Sequence, residues 1–107
     1  MLTCFIPGPQ GLTRATGSES AIAEKAVWLD LLNPTPEEEG LVERSLDIEV
    51  PTREEMKEIE ASNRLYEEDE ALYMTITIVT KLDSDLPENS QITFILAKNR
   101  LITNRYL

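Results

Sequence analysis

Residues 71–80, ALYMTITIVT, alternate between two sets of side chains with the two-residue period of a β-strand. The two sets are Leu72, Met74, Ile76 and Ile78 on one side, and Tyr73, Thr75, Thr77 and Val79 on the other. Residues 91–97 alternate in the same way, and residues 101–106 follow after Lys98-Asn99-Arg100. Because asparagine tolerates positive φ, these three residues predict a tight turn between two hairpin strands. The chain must therefore build a sheet.

Three further strands are predicted, at residues 2–6, 27–32 and 64–68. Pro7, Gly8 and Pro9 end the first of them, and residues 8–20 are predicted to be a loop. Residues 19–25 favour one or two helical turns. The strand at 27–32 is apolar on both faces, so we expect it in the interior of the sheet.

Two helix starts follow the same pattern. Thr35 is a predicted N-cap with Pro36 in the first helical position and Glu38 as its capping-box partner, and this helix should end near Leu46. Thr52 and Glu55 repeat the capping box. The second helix should run to Ile59 or Glu60, with Met56 and Ile59 on its buried side.

These elements indicate one α+β (α/β-type) domain over residues 1–107: a mixed, mostly antiparallel sheet of about five strands with two or three short helices. Too few helices remain to cover both sheet faces. We therefore expect a fragment of a longer polypeptide, or a subunit whose missing cover comes from a partner.

Composition excludes several functions. The chain has no histidine and only one cysteine, Cys4, so neither a Ser-His-Asp nor a Cys-His site can be built. Cys4 is expected to be a small buried strand residue. The sequence contains no phosphate-binding glycine loop. It also contains no apolar run of the roughly 20 residues that a membrane-spanning helix needs. A net charge of -10 disfavours binding to nucleic acid or anionic lipid. No enzyme is predicted.

The negative charge is concentrated in one part of the chain. Residues 37–70 hold 14 acidic and 4 basic side chains, which accounts for the whole net charge, whereas residues 89–107 hold three basic and no acidic ones. A solvated acidic face and capped helices explain much of this. Carboxylates are also the ligands of Mg²⁺ and Ca²⁺. The candidates for such a site are Glu54, Glu55, Glu58 and the run Glu67 to Glu70.

Several segments of the chain, in order, match the motifs of one known protein family. Trp28 to Glu38, WLDLLNPTPEE, fits the pattern W-[IV]-D-L-x-x-P-[ST]-x-E-E. The later matches are Ile48 to Pro51, Arg53 to Met56, Ser62 to Tyr66, Leu72 to Met74, and the hairpin Gln91 to Thr103. Over about residues 27–106 the sequence therefore resembles the CorA-type magnesium transporter family.

The resemblance implies the N-terminal cytoplasmic domain of a membrane protein. Family members continue into a stalk helix and two transmembrane helices and assemble as pentamers with a cytoplasmic funnel. Such a chain would act at the cytoplasmic face of the membrane, with other subunits and divalent cations as partners, and would transport nothing alone. Its regulatory Mg²⁺, weakly bound, is implied at Glu54 and Glu55, although Glu55 also caps its helix.

Two alternatives stay open. One is a zinc-transporting member of the same superfamily, although a segment without histidine is poorly suited to a zinc site of its own. The other is a stand-alone soluble binding module.

Overall fold

The computed structural model describes residues 1–18, 20, 22, 25–58, 64–80, 83, 85–86 and 88–107. The helices and strands within these residues are β1 (Leu2–Gly8), β2 (Gly11–Thr16), β3 (Trp28–Leu32), α1 (Pro36–Leu46), α2 (Arg53–Glu58), β4 (Leu65–Glu68), β5 (Ala71–Thr80), β6 (Glu88–Ala97) and β7 (Arg100–Arg105). The strands form one sheet in the order β2-β1-β3-β7-β6-β5-β4. Only the β3–β7 pair is parallel among the described strand pairs, so the predicted mixed, mostly antiparallel sheet is confirmed.

The predicted number of about five strands was wrong, because the sheet has seven. The clearest error is β2, which lies inside the predicted loop. The first strand continues through Pro7 and Gly8, which pair with Leu12 and Gly11. Since β1 pairs with β3 only as far as Phe5, Pro7 interrupts no ladder on that side. β2 is an exposed edge strand with a largely polar sequence, GLTRAT. It therefore lacks the alternation of apolar and polar residues by which a half-buried strand is predicted.

Both capping boxes are confirmed. Thr35 Oγ1 accepts from the Glu38 backbone N–H at 3.2 Å, and the Glu38 carboxylate accepts from the Thr35 N–H at 2.9 Å. In α2, Thr52 and Glu55 make the reciprocal pair at 3.0 and 3.2 Å. The first helix ends at Leu46, as predicted, where Asp47 adopts a left-handed conformation. The predicted end of α2, and residues 19, 21, 23 and 24 of the predicted helical turns, lie outside the described residues.

The helices cover one face of the sheet, and this face forms the core. Val42 and Leu46 of α1 and Met56 of α2 are buried against it. The buried strand residues of this face are Leu2, Cys4, Leu29, Leu31, Ala71, Tyr73, Thr75, Thr93, Ile95, Ala97, Ile102 and Asn104. Among the polar members, Thr75 and Thr93 share a buried hydrogen bond of 2.8 Å across β5 and β6, and the Asn104 side-chain N–H donates to the Pro51 carbonyl at 2.9 Å. The face that carries Tyr73 and Thr75 is therefore the inner one.

The opposite face has no helix over it in the described part of the chain. Leu72, Met74 and Ile76 of β5 and Leu96 of β6 are exposed there, Leu96 by 53%. The register places Leu72 beside Leu96. This open face agrees with the expectation of one under-protected sheet face. We call these four side chains the open-face patch.

Candidate functional site

The connection between the two helices forms one wall of an acidic pocket. Its other walls are α1, the start of α2 and the inner side of β4 and β5, and the cavity is about 270 Å³. The lining residues are Glu39, Glu43, Glu49, Val50, Pro51, Thr52, Glu55, Tyr66, Glu68 and Tyr73. Five of these ten residues are glutamates, drawn from four parts of the chain. The fold thus gathers carboxylates that the sequence separates by up to 29 positions.

Three of the five glutamates also hold the local structure together. The Glu43 carboxylate accepts from the Val50 backbone N–H at 3.1 Å, which ties α1 to the connection. Glu55 accepts from the Thr52 N–H in the capping box. Glu39 Oε1 accepts from the Tyr106 hydroxyl at 2.5 Å. Each of these bonds holds one carboxylate in place at the pocket wall.

Two stacked tyrosines form the strand side of the pocket. The rings of Tyr66 and Tyr73 lie 4.8 Å apart and 2° from parallel. The Tyr73 hydroxyl donates to the Glu49 carbonyl at 2.6 Å, which anchors the inter-helix connection on β5. The tyrosine pair therefore supports the wall that carries Glu49 and Glu55.

The pKa values of these tyrosines are raised mainly by burial, and nearby carboxylates add to the rise. Burial raises the pKa of Tyr73 to about 12, against the opposing hydrogen bond to Glu49, and the charge on Glu68 adds to the rise. Burial also raises the pKa of Tyr66, together with the carboxylates of Glu68 and Glu55. Negative charge disfavours an ionised phenolate and favours a bound cation. Five glutamates line the pocket, so its potential favours cations over anions.

Only some of the predicted metal ligands lie at the acidic pocket. Glu55 lines the pocket and Glu68 joins it from β4, whereas Glu54 is not one of the lining residues. Glu67 lies opposite Leu72 and so belongs to the open face of the sheet. In the described part of the chain, no three acidic or cysteine side chains come close enough together to hold a metal ion among themselves.

Sequence reasoning missed most of the pocket. The sequence explains Glu39 by its position in the first turn of α1, where the helix dipole favours negative charge. Nothing in the sequence marks Glu43 or Glu49 as neighbours of Glu55. The four-residue spacing of Glu39 and Glu43 does place them on one side of α1, which is the one local signal available. Cys4 is buried in β1 as predicted, and burial raises the pKa of its thiol.

Comparison with known proteins identifies relatives of this chain. The family described as "CorA-like Mg2+ transporter protein" matches residues 23–107. The chain is 34% identical to the magnesium transport protein CorA of Escherichia coli K12 over 105 residues, 98% of this chain and 33% of that protein. It is 33% identical to the protein of the same name from Wolinella succinogenes over 84 residues, 75% of this chain and 26% of that protein. The chain thus spans about a third or less of the length of these relatives. None of the described helices is long and apolar enough to cross a membrane.

Proposed function

This chain belongs to the CorA-like Mg²⁺ transporter family, and from that membership we propose that residues 1–107 form the first part of the cytoplasmic regulatory domain of a magnesium transport protein. The chain would then carry no transport pathway of its own. Its role is to sense the cytoplasmic Mg²⁺ concentration and to help gate a pore built by other parts of the protein.

One observation supports this role above the others: Glu55 lies in a pocket with four further glutamates. The resemblance of residues 53–56 to the family implies a regulatory cation at Glu54 and Glu55. Of these two side chains, we propose Glu55 as the ligand, since it lines the pocket, and Glu54 as a neighbour that adds to the negative potential.

Mg²⁺ suits this pocket because it needs few protein ligands. It keeps several of its waters and commonly takes one or two carboxylates directly. The described glutamates would therefore bind it partly through water. We propose that the remaining ligand comes from a neighbouring subunit of a homo-oligomer, a pentamer in the full-length protein, so that one cation joins two subunits.

The proposed gating follows from the charges. Without a cation, the five glutamates of the pocket repel each other and any acidic side chain of the neighbouring subunit. A bound Mg²⁺ removes this repulsion and favours the arrangement in which the subunits are close, which we assign to the closed pore. A fall in the Mg²⁺ concentration releases the contact and shifts the population toward opening.

The central test replaces Glu55 by glutamine. Glutamine keeps the capping bond, since it also accepts from the Thr52 N–H, but it removes the charge. We expect Glu55→Gln to weaken Mg²⁺ binding to this chain about tenfold, with little change in thermal stability. The measurement is isothermal titration calorimetry with MgCl₂ at constant ionic strength.

Glu54→Gln is the matched control. It removes the same charge from the preceding residue, whose side chain does not line the pocket. It should weaken binding less than about twofold through the lost long-range attraction. Equal losses of Mg²⁺ affinity in the two variants would contradict the assignment of Glu55 as the ligand. In the full-length protein, Glu55→Gln should also reduce Mg²⁺-dependent protection from proteolysis.

We further propose that the open-face patch is covered by a segment of the natural protein outside these 107 residues. The four side chains are between 37% and 53% exposed and present on the order of 300 Å² of apolar surface, which is the lower end of the range for the largest apolar patch on a monomer, a patch that is often functional. The first step is to determine the length of the natural open reading frame. Leu96→Cys should then react rapidly with a water-soluble thiol reagent in the 107-residue chain and slowly in a longer natural chain. Cys4, which is fully buried, serves as the internal control. Equal labelling in both chains would argue against the covered face.

A further inference from the structure

A network of polar side chains crosses the open face of the sheet beside the apolar patch. The Trp28 indole N–H donates to Thr103 Oγ1 at 2.9 Å, and the Thr103 hydroxyl donates to Asp30 Oδ1 at 2.7 Å. The Arg105 guanidinium completes the network, since its Nη2 donates to Asp30 Oδ2 at 3.3 Å. Thr103 is 6% exposed and the Asp30 side chain 13%. The network is therefore largely shielded from water although none of the described helices lies over it.

The strand register places Arg105 directly beside the open-face patch. Ile76 of β5 lies opposite Ile92 of β6, and Ile92 lies opposite Arg105 of β7. These three residues form one row on the outer side of the sheet. Because neighbouring strands lie about 5 Å apart, β7 is about 10 Å from β5. An α-helix with its side chains is about 10 Å wide, so a single element that covers the patch also reaches Arg105.

Arg105 has hydrogen-bonding capacity that this chain does not use. A guanidinium carries several N–H donors in a planar fork. Asp30 accepts from one nitrogen, and Arg105 Nε is buried without a hydrogen-bond partner among the described residues. The side chain as a whole is 35% exposed, so water serves the remaining donors in the uncovered chain. When a covering segment excludes this water, each donor that it leaves unpaired costs its desolvation free energy.

We propose that the segment covering the open face carries a carboxylate that pairs with Arg105, an inference that rests on the covering of the open-face patch proposed above. A carboxylate complements the guanidinium in charge and offers both of its oxygens to the planar fork. The partner then combines apolar side chains, which pack on the patch, with an acidic side chain at the flank. The apolar contact supplies attraction without direction, whereas the ion pair fixes the register of the segment on the sheet.

The test measures how fast a water-soluble thiol reagent labels Ile76→Cys, read by mass spectrometry of the peptide that contains residue 76. Ile76 shares its row with Arg105, so its labelling reports on the cover at that position. In the full-length natural protein we expect Arg105→Gln to raise the labelling rate about tenfold, because the loss of the ion pair weakens the cover. In the 107-residue chain residue 76 is already open to solvent, so Arg105→Gln should leave the rate unchanged.

Arg14→Gln is the matched control. Arg14 lies on the same face of the sheet, but on the edge strand β2, with its guanidinium carbon 5.9 Å from the centre of the Phe5 ring. Its loss should change the labelling rate of residue 76 in the full-length protein by less than about twofold. Slow labelling of the buried Cys4 shows that each variant is folded. If Arg105→Gln exposes Cys4, Arg105→Lys replaces it. This variant keeps a charge beside Asp30 but not the planar fork, and the expected rise is about threefold.

Each outcome decides between distinct explanations. Slow labelling of residue 76 in the full-length protein that neither Arg105 variant accelerates would overturn this inference alone, as would an equal rise with Arg14→Gln. Rapid labelling in the full-length protein would overturn the proposed covering of the open face together with this inference. Labelling of the 107-residue chain that slows as its concentration rises would assign the face to a second copy and contradict both. None of these results depends on Mg²⁺, so the proposed sensing role is tested separately.

Discussion

Ile102→Ala is expected to lower the free energy of unfolding of this chain by about 3 kcal/mol. Ile102 lies in the middle of β7, with β3 on one side and β6 on the other, and is fully buried. Its removal leaves a cavity that the surrounding strands cannot close, because hydrogen bonds on both sides fix their spacing. Equilibrium unfolding in urea, followed by circular dichroism, measures the loss.

Leu96→Ala is the matched control for this substitution. It removes a similar apolar side chain from the adjacent strand, but from the open face, where Leu96 is already half exposed. The expected loss of unfolding free energy is less than about 1 kcal/mol, because the Leu96 side chain buries little apolar surface in the folded chain. If Leu96→Ala destabilised the chain as much as Ile102→Ala, the assignment of the inner and outer faces would be wrong.

Asn104→Ala is expected to cost about 2 kcal/mol of unfolding free energy. Its side-chain N–H donates to the Pro51 carbonyl, and its loss leaves a buried acceptor without a partner. The cost is moderated because Asn104 Oδ1 is itself buried without a hydrogen-bond partner among the described residues. Removing that atom returns part of its desolvation penalty. The same urea titration applies.

An exposed asparagine provides the comparison for Asn104. Asn89 lies near the start of β6 and opposite Val79, where the sheet faces solvent. Asn89→Ala should change the unfolding free energy by less than about 0.5 kcal/mol. A loss for Asn104→Ala no greater than this would mean that the bond to Pro51 contributes nothing net and does not hold the start of α2.

The position of Asn104 connects stability to the proposed site. Pro51 and Thr52 lie in the wall of the acidic pocket, directly before the capping box that orients Glu55. A variant that loses the Asn104 bond should therefore also loosen this wall. Thus the same strand end that stabilises the sheet also sets the geometry in which a cation would bind.

Local chemistry explains which parts of the site the sequence could predict. Glu55 was predicted both as a helix cap and as a ligand, and the structure confirms the cap and places the side chain in the pocket. Glu39 and Tyr106 could not have been paired in advance, since their contact spans 67 positions. No residue pattern encodes such a contact; it exists only because β7 lies in the sheet beneath α1.

The sequence by itself determined the local elements: two capped helix starts, the alternating strand at residues 71–80, and the turn at Lys98 and Asn99, where both residues have positive φ. These features depend on side chains a few positions apart and on the steric limits of the backbone. Only the tertiary structure decided that Gly11–Thr16 is an edge strand and that the face with Tyr73 and Thr75 is the inner one. It also gathered five glutamates into one pocket. The physical reason is that strand pairing and helix packing bring distant residues together through burial and hydrogen bonding that no short stretch of sequence contains.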